Sequence, residues 1–369
     1  MSESLSYINY FSDYNKVRKS LFLGGKVGLI ENLRKEFPKI WDLYKKLKSL
    51  DWDENEIDIS SCRSEFKDLP KEISDLMIKT LAWQFEADSS AAHISPLMMP
   101  FVNNAEIICY LTQLSGNELV HSAAYKVIVE NSFDNPEEFI KELLSIEESF
   151  QRLDVVKKVF DETYLVGIKY SLGEITDEHL VRKTIFKFWV TLLALERIQF
   201  ISSFAITFGL AEQSYFVPIA KLVQKICTDE FQIHVQADKT ILENELALED
   251  NFPAYLDCLD DINLILKEIV ESELTWLDFL FGDKEEIARI RKKKVKDFVI
   301  YSATEVYRFL NIENPFGDVK ENPLPYMNKW IVIDSNQSAP QEENVGNYLL
   351  GGFIDDSPTL DTSKYNLVF

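Results

Sequence analysis

The chain predicts an all-α fold, a bundle of long helices, on two positive observations and one absence. Only 12 glycines occur in 369 residues, too few for the tight turns of hairpin-rich sandwiches or for the glycine loops that cradle phosphates. From about residue 70 to 311, apolar side chains recur every three or four positions, with Pro or Asn near the expected helix starts. No alternating strand pattern of comparable length accompanies them.

In chain order, residues 1–70 form an N-terminal arm with one expected helix, about 27–49, between polar stretches. A bundle follows over residues 71–312. Its helices are expected at roughly 71–95, 103–132, 136–170, 181–212, 215–245 and 253–281, with another near 284–310. Asn135-Pro136-Glu137-Glu138 reads as a helix start, with a capping Asn, a proline in the first turn and acids where the helix dipole favours them. Asn251-Phe252-Pro253 is similar. Residues 313–369 are richer in Pro, Asn, Asp and Gly, lose the helical period and end in the apolar Leu367-Val368-Phe369, as expected of an acidic tail with an anchoring tip.

Composition narrows the function classes. Lys and Arg number 39 against 61 Asp and Glu, a formal charge of −22 that repels a nucleic-acid backbone. With 46% hydrophobic and 12% aromatic residues, that charge decorates a folded globule. Cys62, Cys109, Cys227 and Cys258 lie too far apart for zinc or redox spacings and read as reduced thiols of a cytoplasmic protein. The polar, acidic N-terminus lacks the pattern of an export signal. The longest uncharged run, Ser89 to Ala105, holds two prolines and is shorter than the roughly 20 apolar residues of a membrane span, so a soluble protein is expected.

The chemistry is carried by acids and histidines placed where helices should be apolar. In Asn117-Glu118-Leu119-Val120-His121 a Glu and a His stand three apart, and in Glu230-Phe231-Gln232-Ile233-His234 they stand four apart. Either spacing puts both side chains on one helix face. Asp88 and Glu196 interrupt two further apolar helices, and a buried unpaired carboxylate costs several kcal/mol or takes up a proton. A dinuclear metal centre resolves the conflict, since four carboxylates balance two divalent cations and two imidazoles complete the coordination. This is the donor inventory of ferritin-like bundles, and mixed carboxylate and imidazole ligation suits iron or manganese. Tyr125 stands one turn beyond His121, while Phe200, Phe204 and Ile226 fall within two turns of Glu196 and Glu230 and would wall its phenol from water.

On these residues the chain resembles the small, radical-generating subunit of class I ribonucleotide reductase, from about Trp52 to the end. The resemblance is carried by the run from Asn117 to Tyr125, by Ala194-Leu195-Glu196-Arg197-Ile198-Gln199-Phe200, by Cys227-Thr228-Asp229-Glu230, and by the C-terminal stretches from Asn322 to Trp330 and from Ala339 to Gly351. It implies a ferritin-like bundle with two iron ions per chain, or manganese or a mixed pair, held by Asp88, Glu118, His121, Glu196, Glu230 and His234. It implies that O2 activation there makes Tyr125 a stable radical, that Trp52 and Asp229 carry electron and proton equivalents, and that Tyr348, with Glu342 nearby, relays them through a docking tail to a large catalytic subunit. The implied assembly is a homodimer, with no nucleic acid or membrane as partner. Two departures stand out. The second Glu/His pair is one residue longer than the family pattern, which either a π-bulge or a shifted His234 would absorb. The interval from Asp88 to Glu118 is about one residue short, and Glu86 is a competing acid, although Asp88 fits the pattern better. The alternatives are a ferritin-like di-metal oxidase or oxygenase acting on a lipid or small molecule, which has no use for Trp52 or Tyr348, and metal storage or a helical scaffold.

Overall fold

The computed structural model describes residues 17–25, 27, 28, 30 and 35–331. Apolar period and burial agree along most of this length, so the described chain is helical with one small hairpin. Helix α1 (Pro38–Ser49) starts later than the apolar pattern suggests, at Pro38 in its first turn, where a missing N–H costs nothing. A short α2 (Cys62–Asp68), absent from the sequence-based expectation, precedes α3 (Lys71–Ala91) and α4 (Ile94–Met98). Asn104 accepts from the Ile107 N–H at 3.0 Å and caps α5 (Ala105–Ser132).

The single helix expected over 136–170 is broken into α6 (Pro136–Leu143) and α7 (Glu147–Leu172). Ser145 turns its hydroxyl back onto the Glu142 carbonyl at the break, and Asn135 precedes Pro136 without making the expected cap bond. Asp177 accepts from the His179 and Leu180 N–H groups and opens α8 (Glu178–Ala194), which runs through a π-helical turn (Leu195–Gln199) into α9 (Phe200–Ala211). The combined span Glu178–Ala211 is long and apolar enough to cross a membrane, but its apolar window is wholly buried in the bundle, as in a core helix. A second long rod repeats this plan: α10 (Val217–Asp229), a π-helical turn (Glu230–His234) and α11 (Val235–Leu246). Next come α12 (Phe252–Asp257) and α13 (Leu259–Phe281).

Where a helix from about 284 is expected, the chain forms the antiparallel hairpin β1 (Glu286–Ile287) and β2 (Ile290–Arg291), and α14 (Lys292–Phe309) begins later. Ala288 and Arg289 both take positive φ, 47° and 62°, as a two-residue hairpin turn requires. The difference has a physical cause. Ile287 and Ile290 stand three apart, a helical spacing, yet the hairpin buries both. Ile290 reaches α9 at Gly209, where an added Cβ would lie 2.9 Å from the isoleucine Cδ1.

The rods α3, α5, α8–α9 and α10–α11 surround the centre, with α7 and α13 packed on α8, α14 on α9, and α1 on α5 and α11. Leu21, Phe22 and Leu23 of the N-terminal segment are buried, and Phe22 forms a β-bridge with Val102. At the other end, α15 (Met327–Ile331) buries Met327 and stacks Trp330 on Phe208, with centroids 4.7 Å apart and rings nearly parallel. All four cysteines are free thiols.

Candidate metal centre

Six donors converge from four rods. Asp88 projects from α3, Glu118 and His121 from α5, Glu196 from the first π turn, and Glu230 and His234 from the two ends of the second. The Val235 N–H bonds the Glu230 carbonyl five residues back, and the Phe200 N–H bonds the Leu195 carbonyl in the same way. Such a turn is wider than an α-turn by about one residue, so positions four apart face one direction. The extra residue between Glu230 and His234 is therefore taken up by the helix, and both side chains point inward. The π turn at Glu196 carries no such signal in its spacing.

The donors form two overlapping sets: Asp88, Glu118, His121 and Glu230, then Glu118, Glu196, Glu230 and His234, with donor atoms in each set within 4.8 Å of one another. Glu118 and Glu230 belong to both. His121 Nδ1 lies 3.4 Å from Glu118, 3.3 Å from Glu230 and 4.0 Å from Asp88, and His234 Nδ1 lies 3.3 Å from Glu118, 3.2 Å from Glu230 and 3.9 Å from Glu196. Both outer nitrogens are engaged: His121 Nε2 meets Asp229 Oδ2 at 3.1 Å, and His234 Nε2 meets Asn117 Oδ1 at 2.9 Å. An Nε2–H donating to these oxygens leaves each Nδ1 lone pair facing inward, the tautomer that metal ligation needs. The Asn117 amide also donates to Asp229 Oδ2 at 3.0 Å, so one carboxylate and one amide orient both imidazoles.

The donor set fits divalent cations on its own unsatisfied atoms. Both carboxylate oxygens of Asp88, Glu118 and Glu196, with His121 Nδ1 and Glu230 Oε1, are buried and lack hydrogen-bond partners, which a native interior tolerates only where a missing charge is supplied. Metal-free, protons take that role. Burial, reinforced by Glu118 and Glu230, raises the Asp88 carboxyl well above its ordinary range, and burial with Asp238 and Glu230 does the same to Glu196. Burial pulls His121 and His234 down, but the surrounding carboxylates outweigh it, lifting His121 well above its usual value and His234 to about 10. Burial also pushes Glu230 up, yet the His234 charge holds it at about 2. Glu86 is no competitor for Asp88. It hydrogen-bonds Ser149 and feels the Arg152 charge on the opposite side of α3.

Beyond the donors, the Trp52 indole N–H donates to Asp229 Oδ2 at 2.8 Å, and its ring stacks on His121 with centroids 6.0 Å apart. Trp52, Asp229 and His121 thus form one hydrogen-bonded chain from near the surface to the donor cluster. Tyr125 is 1% exposed, its hydroxyl lacks a partner, and Asp88 is the charged group it feels most. Phe200, Phe204 and Ile226 are buried, with Phe200 against Trp83 and Phe204. Glu342 and Tyr348 lie outside the described residues.

Reasoning from sequence missed Asn117, although it abuts Glu118, because a lone Asn in a helix carries no pattern. Asp238, one turn past His234 and fully buried, was missed as well; its flanks, Gln236, Lys239 and Thr240, are those of an ordinary exposed acid, and its spacing of four from His234 was its only signal.

The chain matches the family model described as ribonucleotide reductase, small chain, over residues 30–323. It is 26% identical to the ribonucleoside-diphosphate reductase subunit beta of Haemophilus influenzae over 98% of this chain and all of that one, and 25% identical to the subunit beta of reductase 1 from Escherichia coli O157:H7 over the same shares. Among solved structures, a putative class I ribonucleotide reductase from Bacillus halodurans aligns with TM-score 0.69 and 19% identity over 87% of this chain and 98% of that one. The dimanganese(II) NrdF of Streptococcus sanguinis aligns with TM-score 0.64 and 16% identity over 82% and 99%. At these identities the solved structures speak for the fold.

Proposed function

The chain belongs to the ribonucleotide reductase small-chain family and is the small subunit of a class I ribonucleoside-diphosphate reductase; from that premise we propose that it generates a radical on Tyr125 and passes it to a large catalytic subunit. The observation that carries this reading is the pair of overlapping donor sets sharing Glu118 and Glu230, with both imidazoles turned Nδ1 inward. Asp88, Glu118, His121, Glu196, Glu230 and His234 would hold two divalent ions, iron or manganese. Bound there, such ions supply one-electron oxidising power drawn from dioxygen, which amino-acid side chains lack.

The protein's own part is orientation, dryness and proton control. Asp229 and Asn117 set the histidine tautomers. Burial and then the Asp88 charge raise the Tyr125 phenol well above its ordinary value, so it is protonated at neutral pH and its oxidation requires loss of a proton as well as an electron. Phe200, Phe204 and Ile226, all buried, would exclude water from the phenol. Trp52, hydrogen-bonded to Asp229, is the side chain through which an equivalent would leave toward the surface. The tail, with Glu342 and Tyr348, would continue that route and dock on the large subunit through Leu367-Val368-Phe369. A homodimer in the cytoplasm completes the reading. A di-metal oxidase would use the six donors but not the Trp52–Asp229 pair.

The test is reconstitution of metal-free protein with Fe(II) and air, or with Mn(II), followed by electron paramagnetic resonance beside a Tyr125→Phe variant. A tyrosyl signal in the parent that vanishes in the variant at equal metal content is expected. Metal uptake with the same signal in both would place the radical elsewhere, and absence of metal uptake would overturn the centre.

A further inference from the structure

The buried acids among the described residues sort into two groups by what they touch. Outside the centre, each meets a donor: Glu86 has Ser149, Glu106 takes the Glu36 N–H at 2.6 Å, Glu245 takes the Leu21 N–H at 2.7 Å and the Asn251 amide at 2.8 Å, and Glu273 pairs with Arg152. Asp229 takes Trp52 and Asn117. Among the described residues, the buried acids whose two oxygens are both unpartnered are Asp88, Glu118, Glu196 and one more, Asp238. It is 0% exposed. Its carboxyl meets that of Glu196, and the other charged groups that act on it most are His234, Glu230 and Glu118. Tyr110, whose own buried hydroxyl is unpartnered, feels Asp238 more than any other charge.

We infer that Asp238 is a fifth carboxylate of the centre, standing behind Glu196 and strengthening cation binding on the Glu196–His234 side. An acid retained for the fold alone would have a donor, since burying one without a partner is costly. Helical spacing from His234 aims it at the same region as the donors, and its contact is with a donor. In the metal-free chain it opposes stability; with cations present its charge is compensated. Asp238 is thus a positioning residue. The inference rests on the six-donor centre proposed above.

The experiment is calorimetric titration of metal-free full-length protein with Mn(II), with the resonance spectrum of the loaded form, for the parent, Asp238→Asn and Asp238→Ala. Outer carboxylates of metal sites are worth roughly 10–100-fold in affinity. Asp238→Asn should therefore weaken the second ion about 10-fold or more, leave the first within about threefold, and lose the spin-coupled two-ion signal at limiting Mn(II). The metal-free variant should melt no lower than the parent. Two ions bound at parental affinity by Asp238→Asn would overturn the inference, as would lowered metal-free melting in both variants without selective loss of one ion. If Asp238→Asn does not fold, Asp238→Ala is judged by the same outcomes. Failure of the parent itself to bind two ions would sink the six-donor centre instead.

Discussion

Asp229 is where single residues matter most, because one carboxylate accepts from Trp52, Asn117 and His121 at 2.8, 3.0 and 3.1 Å. Replacing Trp52 with Phe removes one of these donors without touching the Nδ1 face of His121. Trp52→Phe is expected to bind both ions and still form the Tyr125 radical, while reductase turnover with the large subunit falls by about 10-fold or more, about 1.4 kcal/mol in barrier. Equal loss of metal would show that Trp52 acts on the site and not on transfer. Between pH 6 and 8 the titrating residues of the buried cluster set a pH dependence of one sign. Burial holds Glu86 up at about 7 and Asp238 at about 8, and Asp88 and Glu196 are also raised, while His234 is raised to about 10 by carboxylates that outweigh its burial. Raised folded-state values mean that the folded chain binds more protons than the unfolded one, so their contribution is present at low pH and is lost as pH rises through those values. The metal-free protein should melt at lower temperature at pH 8 than at pH 6. Loading should release protons and tighten as pH rises, measurable by calorimetry in buffers of different ionisation enthalpy.

The two π turns decide the site at the scale of elements, and neighbours brace them. Arg152 of α7 donates to the Gln199 carbonyl at 2.6 Å while Gln199 returns its amide to the Arg152 carbonyl at 2.6 Å, and Arg197 holds Glu305 of α14. The same Arg152 pairs with Glu273 of α13 at 2.6 Å, both fully buried, with its guanidinium 3.6 Å over the Trp83 ring. Removing one partner of a buried pair strands the other charge, so Arg152→Leu should cost about 3–5 kcal/mol in denaturant unfolding, and Arg152→Met combined with Glu273→Met much less. Similar losses in the single and double variants would mean that the pair is valued for packing alone. The rods were legible as elements because a helical period is written locally. The hairpin at Glu286–Arg291 was not, because its two buried isoleucines stand at a helical interval.

For the whole molecule, the radical proposed on Tyr125 poses the question of how an oxidising equivalent buried among helices would reach a partner. The described residues end at Ile331, with Trp330 stacked on Phe208 of α9 and Tyr326 donating to the Ala205 carbonyl at 2.8 Å. Removing residues 343–369 is expected to leave metal content and the Tyr125 signal unchanged while abolishing ribonucleotide reduction with the large subunit. Parental turnover by the truncated chain would overturn docking through the tail.

The sequence by itself determined that this chain is a helical bundle, and it singled out acids in apolar helices, beside two Glu/His pairs, as candidate donors for a dinuclear site. Both follow from local facts, the period of the apolar residues and the cost of burying an acid without a counter-charge. It left Glu86 and Asp88 in contention, because residues two apart face different sides of a helix and only packing says which side meets the centre. It marked the extra residue before His234 but not the π turn that absorbs it, and it was silent on the one at Glu196. Asn117 and Asp238 belong to the same class of fact. Their neighbours come from rods distant in the chain, so tertiary structure alone decided that one faces His234 Nε2 and the other stands with unpartnered oxygens beside Glu196.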